Sequence, residues 1–113
     1  ARRRHSDEDE LMTLDDLFET IKLRAVSNPE ESWTAKLIAN GPEKCAEKFG
    51  EEAVEAIIEA VKNNPTALTR EAADVIFHLM VMLHARGVEW SDVTAELARR
   101  QGQSGIAEKA SRG

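Results

Sequence analysis

Several residue types are scarce in this chain of 113 residues, and each scarcity excludes a class of structure. Cys45 is its single cysteine, which excludes an internal disulfide and a zinc site built from several cysteines. It has no tyrosine, three prolines and six glycines, a composition that favours helices over a β-sandwich or barrel. The longest apolar run, 75–83, is interrupted by His78 and is under half of the roughly 20 residues that a bilayer span needs. We therefore expect an all-α protein with no membrane span.

Positive charge is also scarce, because 15 Lys and Arg residues face 21 Asp and Glu residues, which gives a net charge of −6. No sequence-wide basic field is available, so we expect no nucleic-acid or membrane partner. Residues 1–10 are polar and no apolar stretch follows them, which argues against a secretory signal. Together with the single thiol, this predicts a cytoplasmic protein. The length favours one domain at 11–100, between a polar tail at 1–10 and another at 101–113.

Apolar residues that recur at intervals of three and four predict five helices. Thr13 is placed to cap the first helix and Ser91 to cap the fifth. Asn40 and Gly41 close the second helix, and Gly87 stops the fourth. The first helix is predicted to run from its cap at Thr13 to about residue 26, and the others span about 31–39, 42–62, 65–86 and 91–100.

The two longest helices, the third and the fourth, favour a helical bundle with antiparallel partners, because the break at 63–65 between them is short. The fourth helix is apolar nearly all round, and one small chain has too few elements to cover it. We therefore expect a homodimer that completes the bundle. On the third helix we expect one buried stripe, formed by Cys45, Phe49, Ala53, Ala56, Ile57 and Ala60.

Acidic residues on the two long helices form the most informative pattern in the chain. The four residues Glu52, Glu55, Glu71 and Asp74 are called the acid quartet below. In an antiparallel pair, Glu52 lies level with Asp74, and Glu55 lies level with Glu71, since both pairs have residue 63 as their midpoint. Three residues of a helix span only about 4.5 Å. The spacing therefore predicts that four carboxylates converge on one small volume.

Convergence of that kind needs protonation or a cation, because two carboxylates about 6 Å apart repel by roughly 3 kcal/mol at an effective dielectric constant near 20. Oxygen ligands without cysteine suit Mg²⁺ or Mn²⁺, and such an ion favours a polyphosphate substrate. Asp74 is interpreted as a buried acid, since it is the only acid in an apolar stretch. The alternative is that the glutamates form an ordinary solvated face.

Three other side chains have two interpretations each. His78 is either a satisfied core histidine or an outer partner of Asp74. Trp33 and Trp90 are interpreted as anchors that pack the short helices, with stacking on a purine as the alternative.

Two segments on the long helices resemble a known family pattern. The segment 48–55, KFGEEAVE, and the segment 71–78, EAADVIFH, resemble the Glu-Glu-x-x-Glu and Glu-x-x-Asp motifs of the all-α nucleoside triphosphate pyrophosphohydrolases. The segments 32–37, 41–44 and 104–112 narrow the resemblance to the phosphoribosyl-ATP pyrophosphohydrolase family of histidine biosynthesis. Trp33 stands where a tyrosine is more common in that family.

The resemblance implies Mg²⁺-dependent hydrolysis of phosphoribosyl-ATP to phosphoribosyl-AMP and pyrophosphate, with the metal held by the acid quartet. Glu51 becomes a candidate general base or outer carboxylate. Lys48 becomes a candidate phosphate contact, although an ordinary surface lysine is the alternative. Two other functions stay open: a housecleaning hydrolase of noncanonical nucleoside triphosphates, and a noncatalytic helical dimerisation module.

Overall fold

The structure, a computed structural model, describes residues 12–102, and within that range it contains five helices and no strand. The all-α prediction is therefore confirmed. The polar tail predicted at 1–10 lies outside the described residues, as do Leu11 and the segment 104–112. Of the tail predicted at 101–113, residues 101 and 102 are described, and the last helix includes Gln101. The helices are α1 (Leu14–Ala25), α2 (Trp33–Ala39), α3 (Pro42–Val61), α4 (Pro65–Ala85) and α5 (Trp90–Gln101).

Side-chain caps set the start of the first two helices. The Thr13 hydroxyl accepts a hydrogen bond from the Asp16 backbone N–H at 3.0 Å, so α1 begins at Leu14. The Ser32 hydroxyl accepts one from the Ala35 N–H at 3.1 Å. This cap starts α2 two residues later than the predicted start at residue 31.

The cap of α5 differs from the prediction. Glu89, and not Ser91, occupies the N-cap position, and its backbone N–H donates to the Asp92 carboxylate at 3.0 Å. Sequence preference favoured serine because serine is a much commoner N-cap than glutamate. The hydrogen bond between the Glu89 backbone N–H and the Asp92 side chain instead places the N-cap at Glu89.

Helices α3 and α4 form a long antiparallel hairpin around a short break at 62–64. Asn63 has a φ of +59°, a left-handed conformation that asparagine tolerates better than most residues. The Asn64 side chain accepts a hydrogen bond from the Ala67 N–H at 3.1 Å and so caps α4, and Pro65 suits the first turn. At the other end of α3, Gly41 has a φ of +97°, which only glycine adopts readily. These features fix the register of the hairpin.

The core lies at one end of this hairpin, near the start of α3 and the end of α4. Cys45 is fully buried there, and its thiol donates to the Leu37 carbonyl at 3.4 Å, which confirms its prediction as a small core residue. Helix α5 docks onto this end through Trp90, and Lys22 of α1 pairs with Glu89 at 3.2 Å. The buried side chains of the core are Phe18, Ile21, Leu37, Cys45, Met80 and Val81.

The other end of the hairpin extends beyond the core. Ile57, which periodicity placed in a buried stripe, is 60% exposed, so that prediction is wrong for the single chain. The periodicity identifies residues that favour burial, but α1, α2 and α5 do not reach this end. Four large apolar residues of α3 are exposed there, and they are called the apolar tip below: Val54, Ile57, Ile58 and Val61. Among the described helices, none has both the length and the hydropathy of a membrane span.

Candidate metal centre on the α3–α4 hairpin

Three carboxylates meet between the two long helices. Glu52 and Glu55 lie one turn apart on α3, and Glu71 lies opposite them on α4. One oxygen from each carboxylate lies within 4.8 Å of the other two. The structure thus brings together three of the four residues that hairpin spacing placed in one volume.

Asp74 is the fourth member of the acid quartet, and its position differs from the expectation. It lies outside the group of three, and it is exposed in the described structure rather than buried. Helix α4 is apolar in composition at this point, but its Asp74 side is left uncovered by the other described helices. The negative charge of Asp74 nevertheless acts on both Glu52 and Glu71, so it belongs to the same electrostatic neighbourhood.

Burial and repulsion between neighbouring carboxylates raise the pKa of two acids in this group. Partial burial raises the pKa of Glu52 above its usual value of 4.5, and the other three acids of the quartet raise it further. Partial burial also raises the pKa of Glu71, with further contributions from Glu55, Asp74 and Glu59. A nearby positive charge would therefore stabilise the ionised form of both carboxyl groups.

The donor set fits a hard divalent cation. The Glu71 Oε1 atom is buried and has no hydrogen-bond partner, which is unusual for a carboxylate oxygen in a native structure. The Glu59 Oε1 atom is also buried without a hydrogen bond and lies 3.8 Å from the Lys62 ammonium group. Carboxylate oxygens without a hydrogen-bond partner are suitable ligands for Mg²⁺ or Mn²⁺. Glu59 lies one turn after Glu55 on α3, and its charge contributes to the raised pKa of Glu71.

Lys48 and Glu51 form an ion pair beside the acid quartet, with 3.1 Å between the ammonium nitrogen and the Glu51 Oε1 atom. This hydrogen bond lowers the pKa of Glu51 and raises the pKa of Lys48. Glu52 adds to the raised pKa of Lys48, so the ammonium group lies within electrostatic reach of the quartet. The structure therefore places a cation at the edge of the carboxylate group.

His78 is buried beneath this charged region, and its Nδ1 atom has no hydrogen-bond partner. Its ring packs edge-on against Phe77, with 5.0 Å between the ring centroids. Burial lowers the pKa of His78, and the Lys48 charge lowers it further, against opposing effects of Asp74 and Glu51. The imidazole is therefore neutral at pH 7. Its Nδ1 atom donates no hydrogen bond to the Asp74 carboxylate, so the described structure gives no support at that atom for the interpretation as an outer partner.

Replacement of Glu71 by glutamine should raise the melting temperature of the metal-free protein at pH 7 to 8 by a few degrees. The folded-state pKa of Glu71 is raised, so the metal-free protein loses stability as the pH rises through that pKa. An uncharged amide removes this loss. The gain should disappear well below pH 4.5, where the carboxyl is protonated in folded and unfolded chains alike. Thermal melts of both proteins across this pH range, followed by circular dichroism, test the prediction, which fails if the variant melts lower at pH 7.

The fold and this site define a class: an α-helical protein with an acidic candidate metal centre inside a helical hairpin. The chain belongs to the phosphoribosyl-ATP pyrophosphohydrolase family, whose model matches residues 14–101.

Curated relatives agree with the family match. A protein of Ruegeria pomeroyi named phosphoribosyl-ATP pyrophosphatase is 66% identical over 99 residues, which cover 88% of this chain and 94% of the relative. Proteins of the same name from Roseobacter denitrificans and Paracoccus denitrificans are 66% and 68% identical. These alignments cover 89% and 85% of this chain, and 96% and 89% of the relatives. The similarity therefore extends over nearly the whole of each chain.

Proposed function

We propose that this protein hydrolyses phosphoribosyl-ATP between its α- and β-phosphates, which yields phosphoribosyl-AMP and pyrophosphate in histidine biosynthesis. The observation that carries the proposal is the convergence of three carboxylates within 4.8 Å on the α3–α4 hairpin of a chain in this family. An acidic protein with a net charge of −6 needs a cation to bind a triphosphate, and this cluster is suited to hold one.

We propose Mg²⁺ as the cation, with Mn²⁺ as a substitute, held by the acid quartet Glu52, Glu55, Glu71 and Asp74. The ion supplies positive charge to the triphosphate oxygens and lowers the pKa of a water molecule. Asp74 is exposed, and its side chain is free to complete a ligand set that the three convergent carboxylates begin. The unpaired Glu71 Oε1 atom supports the assignment, because a bound cation would satisfy it.

Lys48 and Glu51 are proposed as supporting groups at the rim of the quartet. The ammonium group of Lys48 can contact a phosphate oxygen, and its hydrogen bond to Glu51 holds it in place. A general base needs a pKa near the working pH, whereas Lys48 lowers the pKa of Glu51. This electrostatic effect favours the outer-carboxylate role of Glu51 over the general-base role.

We propose that the protein acts as a homodimer that covers the apolar tip. Exposed apolar patches of this kind on one helix are typical of protein interfaces. Val61 is 81% exposed and Ile57 is 60% exposed, and helical periodicity places Glu52 and Glu55 on the other side of α3. A second copy offers the same apolar surface, so a self-complementary contact would bury both.

The remaining assignments follow from composition. We propose a cytoplasmic enzyme, in keeping with the single, fully buried thiol of Cys45. The negative net charge supports the proposal that neither nucleic acid nor membrane is a partner.

Substrate competition tests the proposed function directly. Release of pyrophosphate in the presence of Mg²⁺ should be at least about 100-fold more efficient, as kcat/KM, with phosphoribosyl-ATP than with ATP or noncanonical nucleoside triphosphates. The second ribose and its phosphate give the preferred substrate contacts that the others lack. Equal turnover of all triphosphates would favour the housecleaning hydrolase, and an absence of turnover would favour the noncatalytic module.

A further inference from the structure

A cavity of about 470 Å³ lies between α1, the turn before α2 and the middle of α4. This volume is within the range of roughly 300–1,000 Å³ that small-molecule sites occupy. Two aromatic residues line it, Trp33 from α2 and Phe77 from α4. Another cavity lies along α5 and has no aromatic lining.

The position of this cavity connects it to the acid quartet. Phe77 lies three residues after Asp74 on α4, about 4.5 Å along the helix axis and on a neighbouring part of the same face. The purine of a substrate whose triphosphate is held by the quartet is joined to its α-phosphate through one ribose, so it must contact a surface close to the quartet. Phe77 therefore joins the lining of the cavity to the helix that carries Glu71 and Asp74.

Trp33 has the exposure of a binding residue and not that of a packing anchor. It is 53% exposed, although a tryptophan that anchors a short helix is expected to be largely buried. Trp90 shows the contrast, because it packs against the hydrophobic core. The anchor interpretation therefore holds for Trp90 and is wrong for Trp33.

Contacts within the chain restrain parts of the cavity wall. The Ser32 hydroxyl donates to the Arg24 carbonyl at 3.4 Å and caps α2, which ties the turn to α1. Thr34 lines the cavity and is buried, and Phe77 is held by its edge-on contact with His78. A preformed aromatic surface loses little conformational entropy when a flat ring stacks on it.

Given the proposed function, we propose that this cavity binds the purine ring of the substrate and that Trp33 is the surface on which the ring stacks. A purine is flat and apolar on its faces and polar at its edges. Trp33 and Phe77 supply apolar walls, while Arg24 and Glu31 at the cavity supply polar groups for the edges. Stacking of a base on an aromatic side chain contributes about 5- to 150-fold in affinity, as measured by alanine substitution.

Steady-state kinetics separate this role from a structural one. Trp33→Ala should raise the KM for phosphoribosyl-ATP about tenfold or more and change kcat less than about threefold, because Trp33 contacts the base and not the reacting phosphates. Trp33→Phe should restore KM to within about threefold of the original protein. An unchanged KM in Trp33→Ala, or a failure of Trp33→Phe to restore it, would overturn the proposal.

Fluorescence tests the contact without relying on turnover. The chain contains two tryptophans, so the Trp90→Phe variant reports on Trp33 alone, and Trp33→Phe reports on Trp90. Saturating phosphoribosyl-AMP should quench the emission of Trp33 and leave that of Trp90 unchanged, while pyrophosphate should quench neither. Quenching of Trp33 by ribose 5-phosphate to the same extent would assign the cavity to a sugar phosphate and overturn the purine assignment.

The activity of the original protein distinguishes failure of the purine site from failure of the proposed function. If it hydrolyses phosphoribosyl-ATP, inhibition by phosphoribosyl-AMP with no change in Trp33 emission would reject the purine site while the proposed function stands. If it hydrolyses no phosphoribosyl-ATP at all, the proposed function fails, and the purine site fails with it.

Discussion

Replacement of Glu55 by glutamine is expected to reduce hydrolysis of phosphoribosyl-ATP by more than about 100-fold, since loss of a direct metal ligand should exceed the roughly 10- to 100-fold cost of losing an outer partner. The amide keeps the shape of the side chain and removes the charge that holds the cation. Glu55 is exposed and contributes to the raised pKa of both Glu52 and Glu71. Its neutralisation relieves repulsion, so the loss of activity should occur without loss of helical circular dichroism. Pyrophosphate release at saturating Mg²⁺ measures the effect.

Two further variants sharpen this experiment. Asp74→Asn should lose activity to a similar extent, because the proposal assigns to Asp74 a ligand role that the group of three does not include. Glu43→Gln is the matched control, since Glu43 is an exposed acid in the first turn of the same helix as Glu55. Full activity in Asp74→Asn would remove that residue from the site, and full activity in Glu55→Gln would contradict the metal centre itself.

Introduction of charge into the apolar tip is expected to convert a dimer into a monomer. The variant with both Ile57→Glu and Val61→Glu places two carboxylates, one turn apart, on a surface that the proposed interface buries. Burial of an unpaired carboxylate costs several kcal/mol, which is enough to dissociate a small interface. Sedimentation equilibrium should give twice 12.5 kDa for the original protein and 12.5 kDa for the variant.

The same kind of substitution at an exposed leucine outside the apolar tip distinguishes disruption of the interface from a general effect of added charge. Leu23 on α1 is 72% exposed and lies outside the apolar tip, so Leu23→Glu should remain dimeric. A monomeric mass for the original protein, or a dimer that survives both substitutions in the tip, would contradict the proposed interface.

The boundaries of the helices were largely predictable because they depend on local chemistry. Thr13, Gly41 and Gly87 act on neighbouring residues, and each lies at the helix boundary where the sequence placed it. Ile57 was not predictable in the same way. Its periodicity shows that the side chain favours an apolar environment, but which surface provides that environment depends on elements distant in the chain, or on a second chain.

The convergence of carboxylates was predictable for a geometric reason. A short break between antiparallel helices fixes which residues lie level, so the distance from residue 63 was sufficient to match Glu55 with Glu71. The expected burial of Asp74 is wrong, because the composition of α4 does not show which side of the helix the other helices leave uncovered. The cavity beside Trp33 was beyond prediction, since α1, α2 and α4 form it from segments far apart in sequence.

The four acids come from one hairpin, whereas the aromatic surface of Trp33 comes from a different helix. If Trp33 binds the base as proposed, the metal ligands and this base contact are encoded in separate parts of the chain. A lineage can alter the residues before and within α2 to accept another base while the α3–α4 hairpin retains its reactivity. This separation offers a physical route by which one helical scaffold acquires specificity for different nucleoside triphosphates.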